Sequence, residues 1–301
     1  MKKIVSIFIV LVLVVFACKK SENATEDESY VKGKAEIYVD ESLLPIVEDQ
    51  EMVFENRFPK ANIKLIPKSD SDIVNLLLQR KIDIAVLSHE LTATQEKTLR
   101  DSDVIGKNTP FCSDAIALVV NQGNSKVSIT TSEVYEILKG KKTEYQFVFD
   151  NENSSTLSYL MDKAGVKSLP KNVTALNNNL EVIRFVSENN NSIGFVGVNW
   201  LLNPSVELES TVKKAKVLAV GSTVENAVKP TQTYIETKEY PFIRKIYLLN
   251  YQGRTGLGMG FASFVKSEVG QRIILKSGLV PVKIPTREIR IIKRNNKEIK
   301  K

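Results

Sequence analysis

Apolar and polar residues alternate along the chain in two distinct rhythms. AEIYVD (residues 35–40), NIKLIP (62–67) and IDIAVLS (82–88) are short runs rich in β-branched residues, which is how half-buried strands read. Between them lie SLLPIVEDQEMVFENRF (42–58) and SDIVNLLLQRK (71–81), whose apolar residues return at helical spacing. In the first of these, Leu43, Ile46, Val47, Met52, Val53 and Phe54 mostly share one face. The β-α-β-α-β order calls for an α/β fold, a sheet with helices on both faces.

The same rhythm continues downstream. SDAIALVVNQGN (113–124) reads as a strand ending in a Gly-Asn turn, and TTSEVYEILKGK as a helix with Thr131 or Ser132 as N-cap and a stop at Gly140. QFVFDNENSSTLSYLMDKAG (146–165) gives a strand, a polar turn and a helix. NNLEVIRFVSENN is a helix, SIGFVGVNWL and KAKVLAVG are strands, and FIRKIYLLNY is a strand followed by the loop GRTGLGMG. FASFVKSEVGQRIILKSG then reads as one helix, and LVPV closes the fold. No internal repeat is found.

The N-terminus departs from this pattern. MKKIVSIFIVLVLVVFACKK joins two lysines to an apolar run too short to span a membrane comfortably and ends on small residues, as a secretory signal does. VFAC resembles a bacterial lipobox, which implies lipidation at Cys18 and a membrane-anchored, extracytoplasmic body. A plain secretory signal and an uncleaved anchor helix remain the alternatives. Residues 18–29 are polar and acidic and are expected to form a disordered tether. Of the two cysteines, the lipid would take one and leave Cys112 without a disulfide partner.

A net charge of +7 and a pI near 9.1 invite a nucleic-acid reading, but the charge is local. The tail, residues 286–301, holds seven basic and two acidic residues, whereas residues 18–285 carry 33 of each sign. A neutral body offers no basic face, so nucleic acid is excluded as the expected partner.

Candidate chemistry lies where strands end in hydroxyl residues before helices: Ser42, Ser88 with Thr92, and Ser154, Ser155 and Thr156. Helix starts carry unpaired N–H groups and partial positive charge, and with hydroxyl donors they can hold an anion. N-capping would explain any one of these residues equally well. Three such sites at strand ends favour a ligand, because open α/β sheets bind ligands there.

YPFIRKIYLLNY followed by FASFVKSEVGQRIILKSGLVPV resembles the C-terminal signature of the PstS-like phosphate-binding proteins of ABC transporters, within the type II periplasmic-binding-protein superfamily. SEVYEILKGK, NNSIGFVGVNWL and IDIAVLSHEL resemble further segments of that family, and DNENSST stands at its Gly-Ser-Gly-Thr turn. The resemblance covers roughly residues 33–282. It implies two lobes with a ligand cleft between them, one of residues 30–110 plus 231–285 and the other of 111–230. The chain would cross between them near 111–117 and 229–240. It further implies ligand contacts from Ser42, Ser88, His89, Ser154, Ser155 and Thr156.

The sequence departs from the family at one telling point. Where the family places an arginine beside this turn, Asp150 and Leu157 stand instead, and His89 replaces the Arg or Asp beside Ser88. Losing a guanidinium removes the strongest fixed partner for an oxyanion. Asp150 would then either accept a proton from the ligand or face away from it.

Other motifs carry less. His89, the only histidine, follows Ser88 on a strand, so the two side chains point to opposite faces and make a poor nucleophile–base pair. One histidine and one unlipidated cysteine form no metal cluster. GRTGLGMG lacks the dinucleotide spacing, and LKGKK lacks the upstream glycine of a phosphate loop.

The expected function is capture of a small oxyanion, phosphate foremost, and its delivery to an ABC-transporter permease. The protein would be a lipid-anchored monomer with neither cofactor nor catalysis. The alternative is a lipoprotein using the same fold for sensing or protein interaction, its anion site altered or lost.

Overall fold

Strands built from the short β-branched runs assemble mainly into one curled sheet of ten strands. The computed structural model describes residues 28–286 apart from 169, 170 and 172. The signal sequence, Cys18, most of the tether and all but the first residue of the tail lie outside the described residues.

The described strands are β1 (Gly33–Asp40), β2 (Ala61–Lys68), β3 (Ile84–Leu87), β4 (Lys107–Asn121), β5 (Ser128–Thr130), β6 (Gln146–Phe149), β7 (Val173–Ala175), β8 (Ser192–Gly197), β9 (Ala215–Val217), β10 (Ala219–Gly221), β11 (Ile243–Asn250) and β12 (Val280–Pro281). The sheet runs β2-β1-β3-β11-β4-β8-β6-β7, with β9 and β12 also on β4, while β5 and β10 pair separately.

The long strand β4 joins the two halves. From Lys107 to Ala115 it pairs antiparallel with β11, and from Ile116 to Val119 it pairs with β8. β1, β2 and β3 are parallel on one side, and β6, β7 and β8 are parallel on the other. Helices cover both halves, giving the two-lobed arrangement of the α/β class.

Each half has an aromatic centre. The helix Leu44–Arg57 buries Ile46, Val47 and Phe54, residues that its period brings to one face. The Phe54 ring meets Phe58, Phe261 and Phe264 edge-on at centroid distances of 5.0, 5.5 and 5.3 Å. Across β6 and β8, Phe195 stacks on Phe149 at 4.3 Å and meets Phe147 edge-on at 4.9 Å. Burying such a side chain contributes about 1.5–3 kcal/mol.

Several expected boundaries move. The cap of the helix Thr131–Leu138 is Thr130, whose hydroxyl accepts from the Glu133 N–H at 3.1 Å, so neither Thr131 nor Ser132 caps it. SIGFVGVNWL ends as a strand at Gly197, and Asn199 and Trp200 begin the helix Asn199–Leu202. Both of those side chains donate to the Ser42 carbonyl, which an extended backbone with alternating side chains would not allow. KAKVLAVG splits at Leu218 because β9 pairs with β4 and β10 with β5.

GRTGLGMG is only half loop, since the helix Leu257–Lys266 begins within it. The long C-terminal helix is in fact two, broken at Ser267, whose extended backbone lets it cap the helix Glu268–Lys276. The break also lets Gly270 pack against its predecessor, where a Cβ would lie 2.4 Å from the Phe264 carbonyl. The helix Gln232–Glu236, capped by Thr231, was not anticipated from the sequence.

Candidate functional site

The ends of β1 and β6 meet a single buried arginine from β11. Arg244 is 2 % exposed, and its register on β11 places it directly opposite Asp114 on β4. Its Nη2 donates to Asp114 Oδ2 at 2.5 Å. Nη1 donates to Ser42 Oγ and Ser155 Oγ, both at 3.0 Å, and to Thr156 Oγ1 at 3.4 Å. Ser42 Oγ and Ser155 Oγ are themselves 3.3 Å apart, so hydroxyls from the two halves of the sheet touch.

Local structure explains each placement. β1 ends at Asp40, whose Oδ1 accepts from the Ser42 N–H at 3.1 Å and turns the chain into the short helical turn Glu41–Leu43. Beyond β6, the polar turn ends at Ser154, whose hydroxyl accepts from the Leu157 N–H at 3.2 Å and so caps the helix Ser155–Ala164. Ser155 and Thr156 form the first turn of that helix, where free N–H groups and the helix dipole favour negative charge.

A second set of contacts bridges the halves. The Glu41 carboxylate accepts from the Asn179 N–H at 3.2 Å and from Asn179 Nδ2 at 2.6 Å, at the start of the helix Asn179–Glu188. Asn179 Nδ2 also donates to Asp150 Oδ2 at 3.2 Å, and Asn179 Oδ1 accepts from the Gly197 N–H at 3.1 Å. The Ser71 N–H reaches the Asn153 carbonyl at 3.4 Å. Gly197 permits the closeness, because a Cβ there would lie 2.6 Å from the Ser42 carbonyl.

The electrostatics are unbalanced toward negative charge. Burial works against the Arg244 charge, but Asp114 and Asp40 outweigh it and keep the guanidinium protonated. Burial raises Asp40, against the pull of Arg244. Burial also pushes Glu41 up to about 8, although Asn179 opposes it, and Asp150 up to about 6, although Ser154 opposes it. Among the described residues, four buried atoms here have no hydrogen-bond partner: Asp40 Oδ2, Asp114 Oδ1, Asp150 Oδ1 and Arg244 Nε. Buried polar atoms left in this way call for a partner, which a water or a ligand can supply.

The sequence-derived residues are therefore only partly assembled. Ser42, Ser155 and Thr156 converge on Arg244. Ser154 lies beside them with its hydroxyl engaged in the cap. Ser88 sits half-buried past the end of β3 and takes no part in the Arg244 contacts. His89 Nε2 pairs with Asp70 Oδ1 at 2.8 Å and its Nδ1 lies 2.9 Å from the Glu90 carbonyl, with 41 % of the side chain exposed. Burial opposes its charge, but Asp70, the Glu90 carbonyl and Asp40 raise it to about 9.

No arginine stands at positions 150 and 157, and the buried guanidinium beside these hydroxyls is Arg244 of β11, which belongs to the YPFIRKIY segment. Asp150 does not turn away: it is fully buried within the cluster. Sequence reasoning missed Arg244, Asp114, Asp40, Glu41 and Asn179. A signal existed for the first two, because Arg244 alternates with Phe242 and Ile246 on the buried side of β11 and Asp114 interrupts a run of buried residues in β4.

Comparison with known proteins supplies the context. The PBP superfamily domain matches residues 24–269. The phosphate-binding protein PstS 2 of Streptococcus pneumoniae is 22 % identical over 126 residues, 42 % of this chain, which spans only 41 % of that relative's length. The phosphate-binding protein PstS of Pseudomonas aeruginosa is 23 % identical over 261 residues, covering 76 % of this chain and 77 % of the relative. A Clostridium perfringens structure, described as a phosphate ABC transporter substrate-binding protein with bound phosphate, superposes with a TM-score of 0.70 at 20 % identity. That superposition covers 83 % of this chain and 100 % of the other and shows a shared fold. With its superfamily match running over most of its length, the chain belongs to the PBP superfamily.

Proposed function

We propose that the protein captures a protonated oxyanion, phosphate foremost, and hands it to a membrane permease. The observation that carries this reading is the meeting of Ser42 with Ser155 and Thr156 on Arg244 Nη1, hydroxyls from two halves of the sheet on one buried cation. The phosphate-binding relatives and the phosphate-bound neighbour support the same ligand class.

The acidic surroundings favour a ligand that still carries a proton. Asp40 Oδ2 and Asp150 Oδ1 are buried acceptors, and a bare dianion with no hydroxyl would oppose them with lone pairs only. A hydrogen phosphate offers an O–H to one of them while its other oxygens take Arg244, the hydroxyls and the N–H groups at the start of the helix Ser155–Ala164. Sulfate has no such proton at neutral pH.

In this reading residues 30–110 and 231–285 form one lobe and 111–230 the other, and they part to admit the ligand. The partner change of β4 after Ala115 is where such a division would fall. Attachment through a lipid on Cys18 would hold the protein to the membrane, and no catalytic step is assigned to any residue. The alternative, a lipoprotein using the same fold for sensing or protein interaction with its anion site altered or lost, rests on the arginine absent at 150 and 157.

Isothermal titration of the protein with phosphate, arsenate and sulfate tests the reading. Phosphate and arsenate should bind, with sulfate weaker by about a hundredfold, the cost of one unsatisfied buried acceptor pair. Equal sulfate binding would refute the protonated-ligand argument, and no binding of any oxyanion would refute the function.

A further inference from the structure

We propose a second binding pocket, for a small organic cation carrying a guanidinium or alkylammonium group, beside the anion site and lined by Trp200, Glu48 and Asp49. A cavity of about 360 Å³ opens between the first turns of the helix Leu44–Arg57 and the segment 199–208. Leu44 and Leu208 contribute apolar wall, Glu48 and Asp49 supply carboxylates, and Trp200 supplies an aromatic side. Among the described residues no lysine, arginine or histidine lines it.

The two carboxylates lack a counter-charge. Neither Glu48 nor Asp49 has an ion-pair partner among the described residues. Partial burial holds both above the usual carboxylate range, and Asp49 pushes Glu48 further. Two neighbouring acids beside an indole form a charge pattern that a cation relieves, by Coulomb attraction to the acids and by attraction to the ring face. A guanidinium suits it better than a compact ammonium, because it can stack on an aromatic face while donating to a carboxylate.

The indole is held in position. Trp200 Nε1 donates to the Ser42 carbonyl at 3.2 Å, and Ser42 Oγ is an Arg244 partner. The pocket wall is therefore built on the same residue as the anion site, yet none of the acids that face the Arg244 cluster lines it. It is a separate site of opposite preference.

Trp200 is the only tryptophan in the chain, so its fluorescence reports the pocket directly. Methylguanidinium at constant ionic strength should give a saturable change, and the neutral isostere N-methylurea should give none. In the Glu48→Gln/Asp49→Asn variant the affinity should fall at least tenfold, with the circular-dichroism melt confirming the fold; the single Glu48→Gln variant, at an exposed position, serves if the double variant does not fold. No saturable response to methylguanidinium, an equal response to methylurea, or affinity unchanged by the charge removal would each overturn the proposal.

Discussion

Arg244 and Asp114 face each other across β11 and β4 as a direct cross-strand pair, 2.5 Å apart and both buried. Removing one partner leaves the other as an uncompensated charge in the interior, which costs about 3–5 kcal/mol. Asp114→Ala should therefore lose roughly that much stability in urea denaturation. The double change Arg244→Met with Asp114→Leu should recover most of it while abolishing phosphate affinity in calorimetry. Retained affinity in the double variant would remove Arg244 from the site.

The three hydroxyls after β6 separate by role. Ser154 caps its helix, so Ser154→Ala should cost about 1 kcal/mol of stability and change phosphate affinity little. Ser155→Ala and Thr156→Ala remove partners of Arg244, and each should weaken phosphate binding by about tenfold, the worth of one charge-assisted hydrogen bond. Calorimetry paired with thermal melts distinguishes the two classes. Equal affinity losses at all three would contradict the assignment.

Stability of the ligand-free protein should fall as pH rises. Glu41 near 8 and Asp150 near 6 both sit above their unfolded values, so the folded state holds protons that the unfolded state releases. Their contribution is complete below about pH 4 and lost as pH climbs through 6 and then 8. His89 near 9 acts in the same direction, its contribution present below about 6.5 and lost toward 9. Glu41→Gln should flatten the urea midpoint between pH 5 and 8, and a wild-type midpoint that rises across that range would contradict these assignments.

Gly197 tests how closely the halves must approach. An alanine Cβ there would lie 2.6 Å from the Ser42 carbonyl and 3.2 Å from Arg244 Nη2. Gly197→Ala should force Ser42 away from the guanidinium and weaken phosphate binding by at least tenfold. A thermal-shift titration with wild-type phosphate response would show that the contact is dispensable.

What the sequence disclosed follows from period and punctuation. Alternation, short β-branched runs and helical spacing located β1, β2, β3, β6 and the helices between them, β3 and β6 as continuous apolar runs buried on both faces and each closed by a polar turn. The hydroxyls of Ser42, Ser155 and Thr156 were legible as strand-end residues. Arg244 was not, because its role depends on β11 lying next to β4, a pairing between residues 130 positions apart in the chain. Asn179 escaped for a similar reason, since a cap-region asparagine reads as local until Glu41 is seen to reach it. The split of the final helix at Ser267 was hidden by an apolar pattern that continues through the break.

β4 is one unbroken length of backbone that exchanges neighbours between Ala115 and Ile116. Were the halves to tilt about this point, the strand would act as a lever. The stretch from Ile116 to Asn121 extends about 17 Å at strand rise, so a tilt of roughly ten degrees at its base would displace its tip by about 3 Å. That exceeds the tolerance of a hydrogen bond. Gly197 pairs with Ile116 and abuts the Ser42 carbonyl, so the hydroxyl bridge lies at the base of this lever, where a tilt of the halves would move it least and the far end of the strand most.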